Sequence, residues 1–344
     1  MQNSSAADGT KRGHAIALFS GGLDSTLAIL LVLRQNIRVT ALTFQTHFGC
    51  GGADSSSRGT NPYVAAERFG FDVKMMHLGD KFIEIVKSPR YGYGKNLNPC
   101  IDCRILMLRE ARLFMEIAGA DFVITGEVLG QRPKSQMRGS LNTVRRESGL
   151  GDLLVRPLSA RLLPETIPEK EGLLDRNLLE GISGRSRKRQ MELANKFGLD
   201  DYPAPAGGCL LTDPNYTKRL RDLLSHSAQL TFDELDLLRI GRHFRLDERT
   251  KFIVGRHESD NEEICRLVRP EYLMMEALGT GSPVGLLIGD LNDDNIRSAA
   301  AITARYSDLK DRPEVEITIL NRDGQPKIKM PPATQSEINK YQIK

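Results

Sequence analysis

The sequence predicts an α/β protein: a doubly wound, mostly parallel sheet followed by a smaller C-terminal α+β domain. Three observations carry this expectation. Short apolar runs alternate with helical stretches through roughly the first 130 residues. A glycine turn, SGGLDS (20–25), joins the first run to a helix that is apolar almost all round. Beyond about residue 230 the pattern shifts to shorter pieces such as FDELDLLRIGRHFRL and VEITIL.

The elements follow in order. HAIALF (14–19) reads as a strand and TLAILLVL as a buried helix. IRVTALTF (37–44) is the next strand, followed by a Gly/Ser-rich loop (49–60), a helix at 62–69 and a strand at 71–78. A long helix is expected over Arg104–Ala118, a strand over 121–125, and a further strand over 152–159. Pro164–Leu179 reads as a connector, with Ser183 capping a helix that ends before Gly198. The Pro/Gly-dense stretch 202–214 reads as a loop, and 217–226 as a short basic helix. The expected organisation is a disordered lead-in (1–12), a nucleotide-type domain (13–165), a helical extension carrying the Cys209 loop (166–228) and a C-terminal domain (229–344).

Composition is that of an ordinary globular protein, 40% hydrophobic and 27% charged. No window approaches the ~18–20 apolar residues of a membrane span. The polar start MQNSSAADGTKRG lacks an apolar signal core, so a cytoplasmic protein with no membrane partner is expected. Five unevenly spread cysteines (Cys50, Cys100, Cys103, Cys209, Cys265) do not resemble a secreted disulfide scaffold. The net charge of +4 allows nucleic-acid binding without arguing for it. Local charge says more. Arg132, Lys134, Arg138, Arg145 and Arg146 fall in one acid-free stretch, and Arg185, Arg187, Lys188 and Arg189 form a second knot. Either run alone is ordinary solvated surface. Together, in the half that carries the cysteines, they suggest an anionic substrate or RNA phosphates.

SGGLDS sits where a strand gives way to a helix, at the edge of an open parallel sheet where ligands bind. Two glycines let backbone approach an anion, two serines add hydroxyls, and the helix N-terminus adds unpaired N–H groups. No Gly-Lys-[Ser/Thr] follows and GxGxxG is absent, so neither a Walker A loop nor a dinucleotide fingerprint is present. A plain glycine turn would account for Gly21 and Gly22 but requires neither Asp24 nor the serines. The loop and its placement resemble the signature of the PP-loop ATP pyrophosphatases. The resemblance implies ATP cleavage between the α and β phosphates. It places Ser20, Gly21, Gly22, Asp24 and Ser25 on pyrophosphate, with Asp24 near Mg²⁺. By position of elements it also puts Phe44 and its neighbours at the adenine. Gly126, just after the fourth strand, is expected to let the backbone approach the nucleotide.

The stretch NPCIDCR (98–104), the helix after it and GADFVITGE (119–127) resemble the tRNA-thiolating branch of that family. Cys103 matches its first catalytic cysteine, and Cys209, in GGCLLT, is placed like the second. This chain departs in having Cys100 where an acid is common and Glu127 where histidine stands. A Cys-x-x-Cys pair plus one distant cysteine is the pattern of iron–sulfur-dependent thiolases. The resemblance therefore implies a [4Fe–4S] cluster on Cys100, Cys103 and Cys209, whose soft thiolates suit iron. Three thiolates leave one position open, whereas structural zinc takes four closed ligands and no histidine lies near either segment. Cys50 ranks lower as a fourth ligand. A persulfide relay, with Cys209 as carrier and Cys103 resolving by disulfide, is the second reading, and inert thiols are the third.

What the resemblance implies is an ATP-dependent sulfurtransferase that adenylates a nucleobase carbonyl in tRNA and replaces its oxygen with sulfur, releasing AMP and pyrophosphate. Its sulfur donor would be a cysteine desulfurase or free sulfide, and a homodimer is left open. Arg132, Lys134, Arg185, Arg187 and Lys188 are the expected RNA or phosphate contacts. Rival readings are sulfur insertion into a small molecule, a PP-loop ligase or amidase indifferent to the cysteines, and an RNA-binding module with a relic loop. IVGRHESDNEEI (253–264) resembles the core of RNA-associated NFACT-R domains; a β-hairpin with Arg and His at its turn explains the same residues.

Overall fold

The computed structural model describes residues 12–49, 61–200, 202, 209–227 and 230–344. It divides into two compact units, Met1–Thr212 and Asp213–Lys344.

The first unit opens with β1 (Gly13–Leu18), α1 (Leu23–Leu33), β2 (Ile37–Gln45), α2 (Pro62–Phe69), β3 (Asp72–His77) and α3 (Gly79–Lys87). It continues with α4 (Cys100–Ala118), β4 (Phe122–Thr125), α5 (Arg138–Glu147), β5 (Leu154–Val155), α6 (Ile167–Lys170) and α7 (Lys188–Phe197). The sheet order is β3-β2-β1-β4-β5, and every pairing is parallel. The chain runs outward from β1 through β2 to β3, then returns to lay β4 on the other side of β1. The strand order therefore reverses between β1 and β4, and the crevice at their carboxyl ends is where such sheets bind ligands. The helix α1 is apolar all round because it is buried all round: Leu23, Leu27, Ile29, Leu31 and Val32 join β1, β2 and α7 in one core.

Three boundaries differ from expectation. The helix α4 begins at Cys100, one turn earlier than Arg104, because Pro99 occupies the residue before it and needs no N–H there. Only Leu154 and Val155 of the 152–159 stretch form a strand, since Gly151–Leu153 and Ala160–Leu162 are 3₁₀ turns. Ser183 does not cap α7; it forms an isolated parallel bridge with Leu129, and Arg187 precedes the helix.

The second unit begins with α8 (Pro214–His226), capped by Asp213, and α9 (Phe232–Leu237). Then follow β6 (Arg242–Arg245), β7 (Lys251–Val254), α10 (Glu258–Leu267), β8 (Leu273–Ala277) and β9 (Gly285–Ile288). It closes with α11 (Asp293–Tyr306), β10 (Val315–Ile319), β11 (Lys327–Met330) and α12 (Gln335–Tyr341). The sheet is antiparallel, in the order β11-β10-β8-β9-β7-β6. Ala299, Ala300 and Ala304 let α11 lie close against it. Residues 253–264 are a strand-to-helix junction rather than a hairpin: His257 caps α10 and Arg256 pairs with Asp260 at 2.8 Å. No helix among the described residues is long and apolar enough to cross a membrane.

Candidate functional site

The SGGLDS loop lies at the carboxyl end of β1, beside the reversal point. Gly21 has φ +71°, a left-handed conformation that favours glycine, and Gly22 is extended and precedes α1. The carbonyl of Gly22 accepts from the hydroxyls of Ser25 (2.8 Å) and Thr26 (3.1 Å). Ser20 is exposed at the loop, its hydroxyl 3.3 Å from that of Ser25. Local hydrogen bonds thus fix the turn and leave the start of α1 facing the crevice.

Asp24 accepts from the Gln131 side-chain amide through Oδ2 at 3.0 Å. Its other oxygen, Oδ1, is buried without a partner. A carboxylate oxygen held out of water and unbonded is costly unless something binds it. A hard cation such as Mg²⁺ fits that oxygen donor. Gly126, just past β4, closes against the loop: a Cβ there would stand 2.5 Å from the Ser25 nitrogen. Its lack of a side chain is required by this close approach of β4 to α1.

The thiols occupy the same edge. Cys100 and Cys103 both lie in the first turn of α4, and both are half-buried, as is Cys209. The α4 turn is fixed by Asp102, whose carboxylate accepts from the backbone N–H groups of Arg90 and Tyr91, each at 3.0 Å. The Cys209 segment is tied to the strand ends. Leu210 N–H donates to the Phe48 carbonyl (3.0 Å), and Leu97 N–H donates to the Leu211 carbonyl (3.2 Å). The Asn96 side chain donates to the Thr212 carbonyl at 2.8 Å. The distant cysteine is therefore brought to the loop that leads into Cys100. Among the described residues no group of three or more His, Cys, Asp or Glu is set as a metal cage. Cys50 lies outside the described residues.

Burial pushes the Cys100 thiol up, against the pull of its backbone hydrogen bond and of the Lys134, Arg132 and Arg104 charges. Lys134, itself at φ +69°, donates to the Tyr93 carbonyl. Arg132 is exposed on the same loop. Arg185 and Lys188 are exposed, and Arg187 is half-buried with its Nε unpartnered. Their segment meets the post-β4 loop through the Gly184 N–H to Leu129 carbonyl bond (2.8 Å), so the two basic runs converge. Phe44 is buried near the end of β2. A separate cleft, lined by Arg38, Tyr63, Glu67 and Asp72, opens at the amino ends of β2 and β3, away from this chemistry.

A buried ion triad was not visible in the sequence. Glu127 is 2% exposed and accepts from Arg156 Nε at 3.0 Å through Oε2, with Arg104 Nε 3.4 Å from Oε1. The Thr125 hydroxyl adds a bond at 3.2 Å. Burial raises the Glu127 carboxyl, but the charges of Arg156 and Arg104 and the hydrogen bonds from Arg156 and Thr125 outweigh it and hold it below the usual carboxylate range. The one available signal was Glu127 itself, an acid at the histidine position of the Thr-Gly-His pattern.

Two family models match the chain. Residues 9–160 match "Thiamine biosynthesis protein (ThiI)", and residues 241–342 match "NFACT protein RNA binding domain". Among curated relatives, the tRNA-specific 2-thiouridylase MnmA of Methylobacterium sp. (strain 4-46) is 26% identical over 264 residues, covering 71% of this chain and 61% of that protein. The chain thus spans less than two thirds of that relative's length. A probable tRNA sulfurtransferase of Methanosarcina acetivorans is 30% identical over 132 residues, covering 35% of this chain and 29% of that protein. A solved 4-thiouridine synthetase–RNA complex with bound ATP aligns with a TM-score of 0.34 at 19% identity, over 54% of this chain and 52% of that one. With its loop at the strand reversal and its match over residues 9–160, the first unit is similar to the ThiI family and to tRNA-thiolating enzymes.

Proposed function

We propose that this protein is an ATP-dependent tRNA sulfurtransferase, which adenylates a nucleobase carbonyl and exchanges its oxygen for sulfur. The observation that carries this is the joint placement of a pyrophosphate-type loop and three thiols on one edge of the sheet. A nucleobase oxygen is a poor leaving group. Its attack on the α-phosphorus of ATP converts it to a phosphate ester, and pyrophosphate departs. Ser20, Gly21, Gly22 and Ser25, with the first N–H groups of α1, receive the negative charge that develops on that leaving group. Asp24 Oδ1 would hold Mg²⁺, which supplies charge neutralisation at the phosphates. A nucleophilic sulfur then attacks the activated ring carbon, AMP leaves, and a thiocarbonyl remains. The target base, stacked in a folded RNA, is flipped out or already looped.

Cys100, Cys103 and Cys209 fit a [4Fe–4S] cluster in donor chemistry: soft sulfur, with two ligands on one helical turn and the third on a loop tied beside it. Such a cluster, when bound, would supply a binding position for sulfide. A second reading needs no metal. In it Cys209 carries a persulfide and Cys103 resolves it by disulfide. The RNA-binding family model over residues 241–342 supports tRNA as substrate, with Arg132, Lys134, Arg185, Arg187 and Lys188 as phosphate contacts. The donor would be a cysteine desulfurase or free sulfide.

The test is release of AMP and pyrophosphate from ATP on addition of unmodified tRNA and sulfide, with protein purified anaerobically and analysed for iron. RNA-dependent pyrophosphate release supports the reading, and bound iron with acid-labile sulfide selects the cluster. An iron-free protein that is active with a cysteine desulfurase and cysteine, which deliver sulfane sulfur, selects the persulfide. Pyrophosphate release unaffected by Cys209→Ser and independent of RNA points to a ligase instead.

A further inference from the structure

Arg104 stands one helical turn after Cys100 on α4, so the two side chains share a face of that helix. Its Nε stands 3.4 Å from Oε1 of the buried Glu127, and its side chain is 34% exposed, so the guanidinium can meet a further acceptor from solvent. Arginine forks of this kind bind anions through two parallel N–H donors. Lys134 closes the other side. A Cβ added at Gly94 would meet both the Cys100 sulfur, at 3.0 Å, and the Lys134 stem, at 3.7 Å. Sulfur and lysine stem therefore line the same small space. Arg132 contributes its charge from the loop that carries Lys134. The neighbouring acids are already engaged: Asp102 by two backbone N–H groups, and Glu127 by two arginines.

We propose that Arg104, Lys134 and Arg132 form with Cys100 a receiving site for an anionic sulfur species, a hydrosulfide or a persulfide anion, and that Glu127 is its positioning residue. This rests on the sulfur-transfer reading above and adds where the sulfur enters. It also gives a reason for the acid at position 127. A carboxylate there fixes a guanidinium beside the thiols, which a neutral imidazole would not do. Arg156, 5% exposed and bonded to the Leu141 carbonyl as well as to Glu127, anchors the carboxylate from behind. Only Arg104 of the two arginines reaches solvent.

The test uses the full-length, metal-free, reduced protein without ATP or RNA, so it is independent of turnover. Alkylation of Cys100 is followed by peptide mass spectrometry with anionic iodoacetate and neutral iodoacetamide. Cys265, exposed in the second unit near Glu276, is the internal control. The iodoacetate-to-iodoacetamide rate ratio is expected to be roughly tenfold higher at Cys100 than at Cys265, as expected where a charged cleft concentrates its counter-ion. R104Q should lower that ratio several-fold and R104K should restore most of it. E127Q should lower it similarly; should E127Q fail to fold, R104Q decides, because Arg156 and Glu127 remain paired in it. Sodium sulfide slowing the iodoacetamide reaction at Cys100 identifies free hydrosulfide as the source. Slowing by glutathione persulfide but not by sulfide identifies a carrier-borne persulfide. A ratio at Cys100 equal to that at Cys265, or unchanged in R104Q, overturns the proposal, as does protection by neither sulfur species. Failure of tRNA thiolation with the anion preference intact would instead overturn the functional reading alone.

Discussion

Gly126 lies so close to Ser25 that a methyl group at its Cα would stand 2.5 Å from the Ser25 nitrogen and 2.6 Å from the Asp24 carbonyl carbon. The end of β4 and the start of α1 are thereby locked together, and the atoms in the way are backbone, which does not yield as a flexible side chain would. Gly126→Ala should displace the SGGLDS loop. The expected cost is about 1–3 kcal/mol of stability, the range for overpacking a tight site, with a larger loss of ATP binding. Thermal unfolding and nucleotide titration, run together, check this. Unchanged ATP affinity in the variant would separate the loop's geometry from Gly126.

Asp24 carries one satisfied oxygen and one buried orphan, and the two predict different behaviour. In Asp24→Asn the Gln131 contact survives with the amide suitably turned, while the charge offered at Oδ1 is lost. Affinity for Mg²⁺–ATP should fall at least tenfold, about 1.4 kcal/mol, with little change in melting temperature. Isothermal titration with and without Mg²⁺ separates the metal-dependent part. A variant that binds Mg²⁺–ATP as tightly as the parent would remove Asp24 from the nucleotide site.

Much of the first unit was legible because its strands are buried on both faces and read as continuous apolar runs bounded by glycine turns. The same reading placed the SGGLDS loop between the first strand and the first helix, since its glycine turn is local in sequence. It placed the start of α4 at Arg104, whereas the helix begins at Cys100, directly after Pro99. It also extended β5 over 152–159, where 152 and 153 belong to a 3₁₀ turn and 156–159 leave the strand. The Gln131–Asp24 contact joins residues 107 apart, and the Glu127 triad joins α4, β4 and the chain just after β5. Periodicity shows which face of an element is buried but not which distant charge will meet it.

The second unit holds a buried cluster with a pH signature. Lys251 is nearly enclosed, 3.9 Å from Asp222, which also takes a bidentate contact from Arg245 at 2.6 and 3.0 Å. Burial first, and then the charges of Arg245 and Arg219, push the Lys251 amine down to about 8, against the pull of Asp222 and Glu234. Its folded value lies below that of the unfolded chain, so between about pH 8 and 10.5 the unfolded state holds more protons. This contribution to stability is least below pH 8 and rises with pH through that window, by on the order of 3 kcal/mol. Lys251→Met should flatten the rise while leaving the Asp222–Arg245 pair intact. Urea unfolding followed by far-UV circular dichroism suits a chain without tryptophan. Parallel pH profiles for the two proteins would exclude Lys251 as their source.

The central claim, that the loop and the thiols serve one sulfur-transfer reaction on tRNA, is tested most directly by nucleoside mass spectrometry of tRNA. Unmodified tRNA is incubated anaerobically with the protein, ATP, Mg²⁺ and sulfide or a desulfurase with cysteine. A thiolated nucleoside should appear only with ATP, and should be lost in Asp24→Asn and in Cys209→Ser. ATP turned over to AMP and pyrophosphate with no thionucleoside formed, at a rate indifferent to Cys100, Cys103 and Cys209, would contradict it.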